Sequence, residues 1–140
     1  MATQFNNSES SSLNSDYPKT MAMPNQYGFG CIDSYMVISA ATSNEAFIKK
    51  GRGTFYGVSL TNTGSSDAFI RIFDKSSAPV SLTDTAVMTF ALKADSVYNL
   101  VLPIGVGLVN GLGINITAAA TILNDGAIGA EQVVGSVFWN

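Results

Sequence analysis

The chain has 140 residues, with seven basic and ten acidic side chains, no histidine and one cysteine. That length fits one domain, and the lack of histidine excludes Ser-His-Asp and Cys-His catalytic relays as well as histidine-ligated zinc. A single cysteine excludes an intrachain disulfide, and the net charge of −3 argues against a nucleic-acid-binding protein, which needs a basic surface.

Charge is scarce in this chain. Charged residues make up 12% of the sequence and hydrophobic residues 46%, so charge is about half as frequent as usual. The exposed surface must therefore be largely neutral, carried by Ser, Thr, Asn and Gly. A neutral surface costs less to desolvate against a partner than a charged one, so the composition indicates a protein that works inside an assembly.

Residues 1–34 differ from the rest and are predicted to be an extended N-terminal arm. Ser, Asn and Gln dominate residues 1–16, and no secretory signal pattern is present. Two interpretations stay open: a terminal tail without fixed structure, and an arm that becomes ordered on a partner. Large apolar residues that occur singly are the candidate contacts of such an arm: Tyr17, Met21, Met23, Tyr27 and Phe29.

Residues 35–140 are predicted to form the body, a succession of short strands. Strand-like patterns recur at residues 35–38, 46–48, 54–62, 68–74, 87–92, 97–102, 112–117 and 133–139. Turn signals separate them at a spacing of about 8–12 residues, which is typical of all-β sandwiches. One helical candidate, residues 118–123, is too short to change this class.

Alternation within the strands predicts which side chains face the core, because every second residue points to the same side. Tyr56, Val58 and Leu60 share one side of their strand. The same period places three further sets in step: Met88, Phe90 and Leu92; Tyr98, Leu100 and Leu102; Leu112, Ile114 and Ile116. We therefore predict an all-β antiparallel sandwich of about eight strands, and both a jelly-roll and an immunoglobulin-like topology stay open.

Motifs that could indicate nucleotide binding, catalysis or calcium binding are explained more simply as turns and bends of the chain. The glycines of residues 105–113 miss the dinucleotide-binding spacing, because Asn110 stands in place of a glycine, and they predict bends. Asp67, Asp84 and Asp95 lie in predicted turns, where Asx turns account for them. Residues 124–126 could supply oxygen ligands to calcium but lack the acidic spacing of an EF-hand loop. We predict no catalytic residue, no metal site and no cofactor.

The basic cluster, the longest uncharged stretch and the single tryptophan also have structural explanations. The basic cluster Lys49, Lys50 and Arg52 is short and lies in an acidic chain, so a solvated loop is favoured over a nucleic-acid patch. The uncharged residues 100–123 are interrupted by a proline and four glycines, which argues against a membrane helix. Trp139 is predicted to be a core or subunit-interface residue rather than a sugar-stacking platform.

A family resemblance begins at residue 53. The segment GTFYGVSLTNT is followed by AFIRIFDK, SAPV and TDTAV, and later by LPIG and GLGINIT. A glycine-led strand with a TNT turn, an RIFDK strand, an AP loop and glycine-bent closing strands resemble, in this order, the small β-sandwich virion proteins of tailed bacteriophages and prophages. The resemblance covers residues 51–139 and does not include the arm.

Together with the neutral surface and the arm, the resemblance implies a structural protein and no enzyme. The first expectation is a capsid decoration, or cement, protein, which forms a homotrimer on the outer capsid surface of a virion made in a host bacterial cytoplasm. Its arm is expected to bind the major capsid protein, with neither nucleic acid nor membrane as partner. The expected contact residues are Tyr17, Met21, Met23, Tyr27, Phe29 and Trp139. The alternative is a head-fibre or tail-fibre knob that binds host surface glycans, and a small hydrolase is disfavoured because the acidic residues are not clustered.

Overall fold

The computed structural model describes residues 33–121 and 125–140, and these residues form strands and loops only. The strands are β1 (Asp33–Ile38), β2 (Ala46–Lys50), β3 (Gly53–Asn62), β4 (Ala68–Asp74), β5 (Met88–Leu92), β6 (Ser96–Leu108), β7 (Gly111–Thr117) and β8 (Val133–Trp139). The all-β prediction is confirmed. Residues 118–121 of the helical candidate are bends, and its last two residues lie outside the described part. The described ranges contain no helix long and apolar enough to span a membrane.

The strands form two four-stranded antiparallel sheets. Sheet A has the order β1-β8-β3-β6, and sheet B has the order β2-β7-β4-β5. The pairs are nested, since β1 pairs with β8, β2 with β7, β3 with β6 and β4 with β5. One long hairpin folded over into two sheets produces this pattern, which is the jelly roll. An immunoglobulin-like sandwich places its first two strands in one sheet, whereas β1 and β2 lie in different sheets here.

The core lies between the two sheets and is filled by the side of each strand that the alternation predicts. Buried side chains come from both sheets, for example Val58 and Leu60 of β3 facing Ile70 and Ile72 of β4. The predicted sets from β5, β6 and β7 also belong to this core or pack against it.

The two-residue period of β3 is interrupted at one position. Phe55 pairs with Trp139 and Gly57 pairs with Phe138, so Tyr56 is the extra residue of a β-bulge in β3. Tyr56 is buried, as its alternation with Val58 and Leu60 predicts, but it is not part of the core cluster, to which its neighbour Phe55 belongs.

The first strand begins slightly earlier than the predicted body. β1 starts at Asp33, whereas the boundary between arm and body was predicted between residues 34 and 35. Residues 1–32 lie outside the described residues, and an extended arm there stays a prediction.

The outer side of sheet B is covered by the chain's own loops. Arg71 and Asn115 point away from the core, yet Arg71 is 3% exposed and Asn115 is fully buried. The Arg71 guanidinium donates hydrogen bonds to the carbonyl oxygens of Ala119 (2.6 Å) and Thr121 (2.5 Å) in the connection that follows β7. The loop between β4 and β5 covers the neighbouring area, where the Asn115 side chain donates to Ser81 Oγ at 3.4 Å.

A carboxylate holds the turn between β6 and β7. Asp74 accepts hydrogen bonds from the backbone N–H groups of Val109, Asn110 and Gly111 at 2.7–3.2 Å. Burial alone raises the pKa of Asp74, but the three N–H donors outweigh it and hold the pKa below its ordinary value.

Two more aspartates of predicted turns bind lysines and backbone groups outside an Asx turn. Lys93 binds the carboxylate of Asp67, and Lys75 binds that of Asp84. Each carboxylate also accepts one backbone N–H. In both cases the lysine is the largest cause that lowers the pKa of the aspartate, and the backbone donor adds to it.

These carboxylates lead us to expect a loss of stability in acid. The pKa values of Asp67, Asp74 and Asp84 are lower in the folded chain than in the unfolded chain, so the unfolded chain binds protons first as the pH falls. Their stabilising contribution is therefore complete at neutral pH and is lost as the pH falls below about 4. Urea unfolding, followed by the fluorescence of the single tryptophan, is expected to have the same midpoint at about pH 7 and 5 and a lower one at about pH 3. Asp74→Asn should reduce the drop between pH 5 and 3, and an equal midpoint at pH 3 and 7 would contradict this account.

Candidate assembly interface

The outer side of sheet A carries three rows of side chains that cross all four strands. The registers of β1, β8, β3 and β6 define these rows, because residues paired across neighbouring strands point to the same side of the sheet. The rows, each in the order β1-β8-β3-β6, are Ile38–Val134–Thr61–Val97, Met36–Ser136–Ser59–Asn99 and Ser34–Phe138–Gly57–Val101. We call these twelve positions the outer face.

The outer face carries no charge. Asp33, at the start of β1, is the only charged residue in the four strands of sheet A, all of which lie in the described ranges. When an antiparallel sheet packs one side on a core, its other side is usually polar. Since none of the eleven side chains at its twelve positions titrates near neutral pH, the outer face keeps the same charge across that range.

Several apolar side chains of the outer face stand in solvent. The exposed fraction is 71% for Met36, 60% for Ile38, 63% for Val97 and 78% for Val101. Single exposed apolar residues are common, but a contiguous apolar patch on one face marks an interaction site. The outer face therefore has the properties of a surface that is covered in an assembly.

The polar groups at the centre of the outer face are partly paired within the sheet. Ser59 Oγ donates a hydrogen bond to Asn99 Oδ1 at 2.7 Å across β3 and β6. A polar group that already has a partner can be covered by another protein at a smaller cost than an unpaired one.

A bulge in β6 extends the apolar surface beyond the third row. Phe55 pairs with Val106 and Gly57 pairs with Val101, so residues 102–105 have no paired residue on β3. Ile104 stands at this bulge with 91% of its surface exposed. Pro103 lacks an N–H group and interrupts this edge of the sheet, which disfavours the addition of a further strand there.

Trp139, the one predicted contact residue in the described ranges, lies on the opposite side of sheet A. It is half-buried at the end of β8 and packs against the core cluster. The Lys49 ammonium lies 5.3 Å from the centre of its ring, a cation–π contact. Its role as an interface residue stays a prediction. The other predicted contacts lie outside the described residues: Tyr17, Met21, Met23, Tyr27 and Phe29.

Metal-ligating side chains do not gather in the part of the chain that the structure describes. No cluster of three or more Cys, Asp or Glu side chains forms among residues 33–121 and 125–140. Asp125 belongs to residues 124–126, the segment considered above as a source of calcium ligands. Burial lowers the pKa of the Arg71 guanidinium, and the negative charge of Asp125 opposes that shift.

A small cleft between β1 and β2 has an aromatic and polar lining of the kind that a sugar-binding site needs. It is lined by Tyr35, Asn44 and Glu45, among others. The Asn44 amide already binds backbone groups of its own loop, and the Glu45 carboxylate accepts hydrogen bonds from two serine hydroxyl groups. The exposed aromatic residues Tyr35 and Phe47 lie on strands rather than on loops.

The sequence contained a signal for the outer face that the prediction did not use. Strand β6 has apolar residues on both sides, since Val97 and Val101 alternate with Tyr98 and Leu100. Strand β8 repeats this with Val134 beside Val133. Apolar residues on both sides of a strand indicate that both sides are covered, which for sheet A requires a partner.

Comparisons with known proteins identify no family. No family model matches the chain, and no curated protein matches it. Among solved structures, the chain is similar to the coat protein of tobacco streak virus, with 12% sequence identity and a TM-score of 0.35, over 77% of this chain and 84% of that one. The strand pairing, and not this similarity, defines the fold described above.

Proposed function

We propose that this protein is a structural component of a virion and acts as a decoration, or cement, protein on the major capsid lattice of a tailed bacteriophage. The observation that carries the proposal is the uncharged and partly apolar outer face of sheet A. Such a surface favours adhesion to protein as the mode of action. Jelly rolls are used by viral capsid domains and by lectins, so the fold is compatible with both this function and the alternative below.

In this function, the arm binds the capsid and the body associates with further copies. A protein that binds only the assembled shell shifts the equilibrium away from disassembly, and many copies make modest contacts cumulative. Ordering the arm costs about 1–2 kcal/mol per residue, whereas each buried anchor returns about 1.5–3 kcal/mol. Five anchors in about 30 residues do not cover that cost, so the arm must also form backbone hydrogen bonds, for example as a strand on a capsid subunit.

Phage heads (capsids) that lack this protein allow a direct test of the proposed cement function. We expect added full-length protein to saturate a fixed number of sites per head and to raise the temperature at which heads rupture. Deletion of residues 1–27 should weaken head binding at least tenfold, because four of the five anchors are removed and Phe29 alone is kept, while the urea midpoint of the body stays unchanged. Bound copies per head are measured by sedimentation and gel densitometry.

A matched pair of arm variants separates anchor chemistry from arm length. Tyr27→Ser with Phe29→Ser removes two anchors, and Asn25→Ser with Gln26→Ser changes two polar neighbours as the control. The first variant should bind heads more weakly, and the second should bind like the wild type. Equal head binding by the truncated and the full-length protein would overturn the arm's role.

The second candidate is a fibre knob that binds host glycans. The cleft beside Tyr35 is the observation in its favour, and the internal hydrogen bonds of Asn44 and Glu45 are the observation against it. A glycan array distinguishes the two functions. We expect no glycan binding together with head binding, and the reverse result would support the knob.

A further inference from the structure

We infer that the outer face of sheet A binds the same face of a second copy of this chain, about a two-fold axis that runs along the strands. The inference rests on the self-association in the proposed function and deepens it by naming the surface. It assigns two copies to the contact, where the sequence predicts three copies in the assembly.

Charge makes a second copy an acceptable partner for this surface. Each copy carries a net charge of −3, so two copies repel each other weakly over long range. The outer face has no charged side chain, and two outer faces therefore meet without burying an unpaired charge. A charged partner surface would gain no complementary charge from it.

The pattern of side chains is self-complementary about that axis. A two-fold axis along the strands keeps each row and reverses the order of the strands, so that β8 of one copy faces β3 of the other. Phe138, the largest side chain of the third row, then lies over Gly57, which has no side chain. In the second row Ser136 faces Ser59. At the outer strands of the first row, Ile38 of one copy faces Val97 of the other.

The proposed arrangement follows the usual packing of sheets. An axis along the strands leaves the strand directions of the two copies aligned, and aligned sheets pack at about 30° and about 10 Å apart. The inner side of sheet A already packs on sheet B in the body, so the pair would place a second sandwich interface on its outer side.

The size of the outer face determines how strong this contact is. Four strands about 4.8 Å apart and about seven residues long at about 3.4 Å each cover on the order of 450 Å² per copy. Two copies therefore bury on the order of 900–1,000 Å², near the lower limit of about 1,000 Å² for a specific interface. The pair is expected to be weak in solution and effective where the arms hold copies close together on a lattice.

Analytical ultracentrifugation of the full-length protein tests the inference. The variant Met36→Lys with Val101→Lys puts two positive charges on each outer face at positions that are more than two-thirds exposed. The control is Val80→Lys, an exposed valine in the loop between β4 and β5. We expect the wild type and the control to reach the mass of two copies at tens to hundreds of micromolar, and the double variant to associate at least tenfold more weakly.

A second variant and urea unfolding distinguish a loss of pairing from a loss of fold. Val97→Lys places one charge at another exposed position of the outer face, and urea midpoints of all variants are compared with the wild type. A variant whose midpoint matches the wild type and which still pairs equally well overturns the inference. A wild type that stays monomeric up to about 1 mM, or a three-copy species that no outer-face variant weakens, overturns it as well.

Head binding by the same variants separates this inference from the proposed function. If the outer-face variants pair normally but lose head binding, the outer face contacts the capsid protein and the inference fails while the proposed function stands. If the wild type pairs through the outer face but does not bind heads, the inference stands and the proposed function fails.

Discussion

Replacing Gly135 with alanine is expected to lower the free energy of unfolding by about 4 kcal/mol or more, a size that only a few kinds of substitution reach. Gly135 lies in β8, between β1 and β3, with a φ of +144°, which side chains of L-residues rarely adopt. A Cβ at this position would fall on the carbonyl oxygen of Ser59 and lie 2.9 Å from Leu60 Cα. Both neighbours are backbone atoms of a paired strand, so the strain cannot be relieved by rotating a side chain.

The measurement for this variant is urea unfolding followed by tryptophan fluorescence. Trp139 is the only tryptophan in the chain and lies in the same strand as Gly135. Gly107→Ala is the control, because no atom lies within 4 Å of a Cβ at Gly107. The control should change stability by no more than about 1 kcal/mol. A Gly135→Ala protein as stable as the wild type would mean that β3 and β8 do not pair in this register.

The second large effect is expected from Arg71→Met. Methionine fills much of the volume of the arginine but cannot donate to the carbonyl oxygens of Ala119 and Thr121. Those two carbonyl oxygens lose a charged donor at a partly buried site, and each acceptor left unsatisfied costs about 1–3 kcal/mol. We expect the connection between β7 and β8 to open.

Hydrogen exchange and limited proteolysis measure that opening. Backbone N–H groups near residues 118–121 should exchange faster in Arg71→Met than in the wild type, and a protease should cut the connection sooner. Lys93→Met is the control, since Lys93 is paired with Asp67 at the surface with 71% of its side chain exposed, and exposed pairs contribute about 0–1 kcal/mol. Equal exchange rates in the Arg71 variant and the wild type would show that the guanidinium does not hold the loop.

Arg71 also shows what an alternation pattern can predict and what it cannot. The sequence places Arg71 on the side of β4 that faces away from the core, and the structure agrees. Burial of that side depends on loops about 10 and 50 residues further along the chain. The two-residue alternation along one strand does not indicate which distant segment of the chain will pack over that strand.

The β-bulge in β3 likewise limits what alternation can predict about the core side of that strand. Counting every second residue predicts Tyr56 on the core side but not Phe55, and the extra residue in β3 brings Phe55 into the core cluster while Tyr56 is buried outside it. A bulge is fixed by the fit of a strand to both of its neighbours, and those neighbours, β6 and β8, lie far away in the sequence. The count along one strand therefore cannot detect it.

The candidate interface depends on the same kind of information. The exposed apolar residues Met36, Ile38, Val97 and Val101 come from the two edge strands of sheet A, which are about 60 residues apart in the chain. They share one face only because β8 and β3 lie between them in a defined register. The contact residues predicted in the arm depend on a partner and stay predictions.

The sequence by itself determined the all-β class, most of the strands, the core side of most of them and the turn positions of Asp67 and Asp84. These features depend on side-chain alternation and turn chemistry, which act over a few residues. Only the tertiary structure decided for the jelly roll, covered sheet B with loops, and gathered uncharged side chains on the outside of sheet A. These features depend on pairing between distant strands, whose free energy comes from the burial of whole surfaces and not from any local segment.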